Sequence, residues 1–365
     1  MPKQQHHYHH RHKKHINFIN ETFKIIHKRL FLIYEILIFL SLLIATIFYL
    51  TKDYQAIDVH EHIESQAEAD IWISIMRKTE VKKTILAGAP KKTITLEEKD
   101  GFTNYDKNNE EVLALAKKYP NKFIAFCTIN PLDQDKLEKS KKCIADGGKG
   151  LELYSGDSTF YNLPLDDSSM FPVYNFAQEE HLPIIFNVNL GKYENEFGNV
   201  MQNFPNLKVN CPHFCLSSTN SERLEKYFQK YSNFYTDISF GYYTFMGEGL
   251  LRFSEDPEKY QNLIKNYSDR FLFSTDLTIT NAKIADSKLL EELPQFVKCY
   301  RDFLEKEKYT CPPLNDYLKK RSIKNQIKDL INQETNDEIE INGLHLPREI
   351  LKKIYIENAL NFLGK

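Results

Sequence analysis

Eight short apolar runs, separated by amphipathic segments, constrain the fold of most of this chain. The runs cover residues 56–60, 83–88, 122–129, 150–154, 183–188, 207–211, 234–239 and 270–274. They are rich in β-branched and aromatic residues and lack polar alternation, which is typical of strands buried on both faces of a parallel sheet. Eight such strands alternating with helices predict an α/β fold, the (β/α)8 or TIM barrel.

An open, doubly wound sheet is the main alternative to the barrel. Such a sheet is expected to carry a glycine-rich phosphate-binding turn after its first strand. In this chain that position holds His60, Glu61 and His62. The barrel is therefore favoured, and we expect it to occupy residues 54–365, with a charged helical insertion at about 306–345.

A long apolar segment, LFLIYEILIFLSLLIATIFYL, precedes the first run at residues 30–50 and contains one charged residue, Glu35. Its length predicts a transmembrane helix. Since residues 1–29 carry a net charge of +6, the positive-inside rule predicts a single-pass membrane protein with a cytoplasmic N-terminus and an extracytoplasmic barrel.

Two other interpretations of residues 30–50 are weaker. A cleaved signal peptide normally has a shorter apolar region followed by a small-residue cleavage site, which this segment lacks. A buried core helix does not explain the flanking basic residues. We therefore expect an uncleaved anchor that contacts the membrane.

The basic tail, residues 1–29, includes seven of the twelve histidines, and six of them lie within residues 6–15. Such a tract binds metals loosely, but we expect a solvated cytoplasmic tail that can contact anionic headgroups. The rest of the chain carries a net charge of −8, which gives no indication of a nucleic-acid partner.

The six cysteines give little information about compartment. Cys127 and Cys211 lie in apolar strands, where a free cysteine packs as a small hydrophobic residue. We expect a packing role for Cys215 as well. Cys299 and Cys311 are the pair to consider for a disulfide.

Polar residues with metal-binding or catalytic chemistry cluster at the ends of the predicted strands, where the active sites of barrels lie. His60 and His62 end the first strand and share one face, because a strand alternates with a period of two. The others are Glu152 and Tyr154 in the fourth strand, Asn187 and Asn189 at the fifth, His213 after the sixth and Asp276 after the eighth.

These motifs resemble those of the amidohydrolase superfamily, specifically the amidohydrolase-2 group. The matching segments are IDVHEH at 57–62, FPNLKVNCPHF at 204–214, NFYTDISFG at 233–241, RFLFSTD at 270–276 and LPREILKKIYIENALNFLG at 346–364. The first and fourth carry most of the specificity. The resemblance covers nearly the whole of residues 54–365.

The resemblance implies that His60 and His62 bind a divalent metal together with Asp276. Imidazole and carboxylate ligands with an open position suit Zn²⁺ and an attacking water. Asp276 is then expected to accept the proton of that water, while His213 either ligates a metal or polarises the substrate. The resemblance therefore implies a metal-dependent hydrolase, in which a metal-activated water attacks a C–N or C–O bond of a small molecule.

Two residues depart from the family pattern. Asn187 stands where a histidine usually ends the fifth strand, and a neutral amide is a poorer zinc ligand, so a harder ion such as Mn²⁺ or Mg²⁺ is an alternative. Glu152 stands where a lysine is common. It either replaces the lost ligand or pairs with a nearby base. Tyr154 and Asn189 are expected to contact the substrate.

Three other functions stay open. The same metal site supports decarboxylation of an aromatic or unsaturated acid in relatives of this group. Loss of the fifth-strand histidine is also compatible with a catalytically impaired barrel that acts as a binding module. A TatD-like nuclease fits the HEH motif but fits the acidic barrel poorly. Neither the substrate nor the oligomeric state follows from the sequence.

Overall fold

The computed structural model describes residues 27–43, 55–95, 101–241, 243–324 and 338–365. The chain divides into two compact units, Met1–Asp53 and Tyr54–Lys365. The second unit contains all the strands described here.

Eight parallel strands form one sheet, in which each strand pairs with its neighbours in sequence from β1 to β8. The backbone N–H of Val59 donates to the carbonyl of Phe273 at 3.0 Å, which brings the first strand and the end of the last together. The predicted (β/α)8 barrel is therefore confirmed. The strands are β1 (Ala56–Glu61), β2 (Val81–Ala87), β3 (Phe123–Thr128), β4 (Gly150–Gly156), β5 (Ile184–Val188), β6 (Val209–Cys211), β7 (Phe234–Asp237) and β8 (Phe271–Leu272).

Helices follow the strands and cover the outside of the sheet. The α-helices are α1 (Gln66–Lys78), α2 (Lys91–Thr95), α3 (Tyr105–Lys118), α4 (Lys136–Ala145), α5 (Phe171–Glu179), α6 (Leu190–Asn203), α7 (Ser221–Lys230), α8 (Thr244–Glu255), α9 (Pro257–Asn266), α10 (Asn281–Ala285), α11 (Ser287–Glu305), α12 (Asn315–Lys324), α13 (Arg348–Lys352) and α14 (Asn358–Phe362). Short 3₁₀ segments lie at Ser168–Met170, His213–Leu216 and Pro312–Leu314, and a π-helical turn at Lys353–Glu357 joins α13 to α14.

Alternate strand residues fill the interior of the barrel. Ile124 and Phe126 of β3 share an apolar cluster with Ile185 of β5 and Phe362 of α14. Ala125, between the first two, belongs instead to the larger cluster between the sheet and the helices. The period of two therefore separates an inner core from an outer one.

The C-terminal helix α14 covers the amino ends of the strands. Lys208, just before β6, donates its Nζ to the carbonyl of Asn361 at 2.5 Å. The buried Asn358 donates its side-chain amide to the carbonyls of Ser268 and Phe271, each at 2.8 Å. The carboxyl ends of the strands are thus the ends that remain for a site.

The prediction of a single-pass membrane protein is wrong. Within the first unit, residues 27–43 are helical. Among the described residues, no helix combines the length and apolar character that crossing a membrane requires. Residues 44–50 of the predicted span and most of the basic tail lie outside the described residues.

All six cysteines are paired in disulfides. The pair Cys299–Cys311 is confirmed. The expectation that Cys127, Cys211 and Cys215 only pack as small hydrophobic residues is wrong, because Cys127 is bonded to Cys143 and Cys211 to Cys215.

The segment predicted as an insertion, 306–345, contains a short antiparallel strand pair as well as α12. Strand β9 (Lys308–Thr310) pairs with β10 (Glu340–Asn342). Residues 325–337 lie outside the described part of the chain.

We expect Asn358→Ala to lower the free energy of unfolding by about 2 kcal/mol, because it leaves two buried carbonyls without their donor. Urea denaturation measures the change. The exposed Asn361 on the same helix provides the control, since Asn361→Ala is expected to stay within about 0.5 kcal/mol of wild type. Equal effects of the two substitutions would contradict this role for Asn358.

Candidate metal centre at the carboxyl ends of the strands

Five side chains from four parts of the barrel meet at the carboxyl ends of the strands. His60 and His62 lie at the end of β1, Glu152 lies in β4, His213 follows β6 and Asp276 follows β8. We call these five residues the donor cluster. These residues are far apart in the sequence, and closure of the barrel brings them together.

A register shift helps to place the two β1 histidines. Ile57 and Val59 both belong to the inner apolar cluster, yet His60 contacts Glu152, which lies inside the barrel as well. The pairing of β1 with β2 is irregular between Asp58 and Glu61. This local break in the period of two allows His60 to face the interior directly after Val59.

The closest donor atoms belong to His60, His62 and Glu152. The two Nε2 atoms of the histidines lie 3.1 Å apart, and Glu152 Oε1 lies 3.2 Å from His60 Nε2 and 3.9 Å from His62 Nε2. Zinc–nitrogen bonds of 2.0–2.1 Å in a tetrahedral site imply donor separations of about 3.3 Å. These three atoms therefore have the spacing of ligands to one cation.

Asp276 links this group to His213. Its Oδ1 lies 3.6 Å from His62 Nε2, and its Oδ2 lies 3.6 Å from His213 Nε2. Two sets of three residues each have donor atoms that all lie within 4.8 Å of one another. One set is His60, His62 and Glu152, and the other is His60, His213 and Asp276. The side chains of Asp276 and His213 are 17% and 23% exposed, so solvent reaches the centre from this side.

Backbone carbonyls set the tautomers of two histidines. His62 Nδ1 lies 2.9 Å from the carbonyl of Ala87, so it carries the proton and donates. In the same way, His213 Nδ1 lies 3.2 Å from the carbonyl of Ser239. Both rings therefore direct an Nε2 lone pair into the donor cluster, which is the usual arrangement of a metal-binding histidine.

Burial keeps the imidazoles neutral and makes the carboxylates poorly stabilised. Desolvation lowers the pKa of both His60 and His62 to about 4. It also raises the pKa of Glu152 to about 7 and holds the pKa of Asp276 well above its usual value. Neutral imidazoles beside carboxylates form a set of lone-pair donors that lacks positive charge.

Several buried atoms of the cluster have no hydrogen-bond partner among the described residues. They are His60 Nδ1, Glu152 Oε2 and Asp276 Oδ1. Buried polar atoms are normally satisfied, and converging lone pairs repel each other. A divalent cation among these side chains would satisfy the carboxylate oxygens and relieve the repulsion between the lone pairs, so the residues present fit a metal.

Two acids that the sequence analysis did not select hold the β1 and β8 ends in place. Glu61 accepts the backbone N–H groups of His62 at 2.8 Å, Leu277 at 3.0 Å and Thr278 at 2.6 Å. Asp58 accepts the hydroxyl of Thr275 at 2.6 Å. Charged residues inside an apolar strand were the signal that could have identified both.

The loop held by Glu61 has an unusual backbone. Asp276 and Thr278 have φ values of 49° and 54°, in the left-handed region that residues with a Cβ disfavour. Lys283 donates to the carbonyls of Leu277 and Thr278 at 2.6 and 2.8 Å. Hydrogen bonds on both sides of the loop therefore maintain the position of Asp276.

A third acid, Asp237 at the end of β7, supports His213. Its Oδ1 accepts the backbone N–H of His213 at 3.0 Å and the hydroxyl of Ser239 at 2.5 Å, while its Oδ2 accepts the amide of Asn210 at 2.7 Å. Asp237 was not among the residues predicted from the sequence, although it is an acid at the end of a strand.

The remaining predicted site residues lie at different distances from the cluster. Asn187 donates its amide nitrogen to Glu152 Oε1 at 2.9 Å, so it orients that carboxylate. Tyr154 Oη lies 3.3 Å from His62 Nε2. Asn189 precedes α6, where its backbone N–H donates to the carbonyl of Gly156 at 2.9 Å. Its contact with a substrate stays a prediction.

Comparison with known proteins gives one family. The family model described as amidohydrolase, of the amidohydrolase-2 group, matches residues 57–365. Comparison with curated protein sequences finds no match.

Solved structures resemble the chain in fold. A TIM-barrel protein from Bordetella bronchiseptica is 15% identical, with a TM-score of 0.50, over 85% of this chain and 99% of that chain. 2,6-Dihydroxybenzoate decarboxylase from Rhizobium is 13% identical, with a TM-score of 0.52, over 86% and 99%. A 2-pyrone-4,6-dicarboxylic acid hydrolase from Pseudomonas putida, so described provisionally, is 11% identical, with a TM-score of 0.52, over 86% and 98%. At these identities the likeness concerns the fold alone.

We expect Glu61→Gln to lower the free energy of unfolding by about 1–3 kcal/mol. Both oxygens of Glu61 accept hydrogen bonds from backbone N–H groups, and glutamine replaces one of them with an NH₂ group that cannot accept. Chemical denaturation of the metal-free protein measures it. Glu80→Gln, at an exposed position, is the control and should change little. If Glu61→Gln were as stable as the control, Glu61 would not hold the β1 and β8 ends together.

Proposed function

The chain belongs to the amidohydrolase family, and from that premise we propose that it is a metal-dependent hydrolase in which an activated water attacks a C–N or C–O bond of a small molecule. The observation that carries the proposal is the convergence of three donor atoms, His60 Nε2, His62 Nε2 and Glu152 Oε1, within 3.9 Å of one another.

In this proposal His60, His62, Glu152 and Asp276 hold the metal. Glu152 takes the place of the fifth-strand histidine that the family usually has, and Asn187 orients Glu152. Two imidazoles with two carboxylates suit Zn²⁺. Because two of the four ligands are carboxylates, the harder ion Mn²⁺ is the next choice and Mg²⁺ the third.

A bound divalent cation supplies Lewis acidity and lowers the pKa of water toward neutrality. Asp276 accepts the proton of the attacking water, because it is the carboxylate of the cluster with solvent access. Glu152, which is fully buried, serves as a ligand instead.

His213 then completes the proton path. With its proton on Nδ1, the neutral ring offers a lone pair at Nε2. It can therefore receive a proton from Asp276, 3.6 Å away, and afterwards donate from Nε2 to the substrate oxygen or leaving group. His213 can stabilise a developing oxyanion only after it has received the proton from Asp276, because before that its Nε2 carries a lone pair.

Decarboxylation of an aromatic acid is the second candidate. An aromatic wall stands beside His62, because the ring of Tyr154 lies 6.4 Å from His62 and 4.9 Å from Phe160, and Phe102 lies 5.4 Å from Phe160. Such a wall suits a planar ring. Release of CO₂ from hydroxybenzoates, measured beside hydrolysis of lactones and amides, separates the two activities.

We expect purified protein to retain about one divalent metal per chain, and His60→Ala to retain less than about a tenth of that, because one of the proposed ligands is lost. Elemental analysis after dialysis measures the content. His181→Asn is the control, since His181 is exposed and Asn tolerates its φ of 54°. A stable, metal-free wild type would contradict the proposal and favour a binding module.

Asn187→Ala is expected to weaken metal binding by 10–100-fold, which is the usual effect of removing a residue that orients a ligand. Competition with a chelator of known affinity measures the dissociation constant. Asn199→Ala, at an exposed position of α6, should leave it unchanged. Unchanged affinity in Asn187→Ala would exclude the proposed support of Glu152.

A further inference from the structure

The turn that carries His213 has a backbone that its side chains disfavour. His213, Phe214, Cys215 and Leu216 have φ values of 59°, 57°, 51° and 49°. Residues with a Cβ visit this left-handed region rarely and mostly as single residues. Four in succession, none of them glycine, need strong support from their surroundings.

A disulfide spans this turn. Cys211, the last residue of β6, is bonded to Cys215, so the covalent ring has His213 at its centre. Both cysteines are fully buried. The ring fixes one end of the turn to the strand and leaves its middle directed at the donor cluster.

Three hydrogen bonds and one aromatic side chain complete the support. The N–H of His213 donates to Asp237 Oδ1 at 3.0 Å, that of Cys215 to the carbonyl of Pro212 at 2.9 Å, and that of Ser217 to the carbonyl of Phe214 at 2.9 Å. The Phe214 ring packs in the core.

The contribution of this disulfide to global stability is expected to be small. Its two cysteines are 4 positions apart in the sequence, against 16 positions for Cys127 and Cys143. A cross-link lowers the entropy of the unfolded chain less when the loop that it closes is shorter. Its main effect is therefore local, on the conformation of the turn.

We propose that the Cys211–Cys215 disulfide is a positioning device that holds the left-handed turn and thereby directs His213 Nε2 toward Asp276. The inference rests on the proposed function, in which these two residues pass a proton. It assigns to the cysteine pair a role in the site that neither residue type nor burial indicates. Without the cross-link the turn relaxes, and His213 leaves the donor cluster.

The experiment compares three double variants of the full chain. C211S/C215S removes the cross-link and keeps a Cβ at position 215. C211S/C215G also removes it, but glycine adopts a positive φ without steric cost. C127S/C143S removes a different disulfide and is the control. Alkylation of denatured, unreduced wild type first tests the bond, and labelling of both Cys211 and Cys215 would overturn the proposal.

The first measurement is hydrogen exchange of the metal-free proteins at the amides of His213, Cys215 and Ser217. We expect exchange to accelerate at least about tenfold in C211S/C215S, to return close to wild type in C211S/C215G, and to stay unchanged in C127S/C143S, although that control has the larger fall in Tm. Unchanged exchange in C211S/C215S, or equal acceleration in both Cys211 variants, would overturn the proposal.

The second measurement uses Co²⁺ as the probe and the NMR signal of ¹³C-labelled histidine, with the His213 signal assigned from His213→Gln. The paramagnetic shift of that signal is expected in wild type and in C211S/C215G and is expected to be lost in C211S/C215S. Its retention in C211S/C215S would overturn the proposal. Absence of the shift in wild type as well would contradict the proposed metal site, and the exchange pattern would then decide the role of the disulfide by itself.

Discussion

The hydrogen bonds between β1 and the chain after β8 are the constraint on which the rest of the site depends. The N–H of Asp276 donates to the carbonyl of His60 at 3.0 Å, and that of Ile279 to the carbonyl of His62 at 2.8 Å. They bring residues more than 200 positions apart to neighbouring places. Glu61 accepts hydrogen bonds across the same junction, so the contacts that close the barrel also bring His60 and His62 beside Asp276.

The electrostatics of the cluster follow from that closure. Burial removes water from two imidazoles and a carboxylate that have little positive charge near them. Such an arrangement is unfavourable in a protein interior unless a cation balances it. The surrounding apolar core stabilises the fold and so holds together a cluster that would not form by itself. This is the usual relation between a protein scaffold and a metal site.

Much of this was predictable from the sequence, for a physical reason. Strands buried on both faces have a recognisable composition, and the ends of parallel strands meet at one rim. The positions of His60, His62, Glu152, His213 and Asp276 therefore followed from local patterns. What did not follow depends on pairing between distant segments, such as the bonds of Glu61 to the loop after β8.

The cysteines and the N-terminal segment show the same limit. A cysteine in an apolar strand has the same local pattern whether it is free or bonded, so the partners of Cys127 and Cys211 depended on which helix and which turn pack nearby. For residues 30–50, composition predicted a membrane span, but among the described residues no helix is both long and apolar enough for one. The register shift in β1 was equally invisible, because a strict period of two would not place both Val59 and His60 inside.

The most direct test of the central claim is anomalous diffraction from crystals of the protein grown with Zn²⁺. The account predicts one anomalous peak between His60 Nε2, His62 Nε2 and Glu152 Oε1, with a carboxylate oxygen of Asp276 also at bonding distance. A centre in which those side chains contact one another with no peak among them, or in which the metal binds elsewhere, would contradict it.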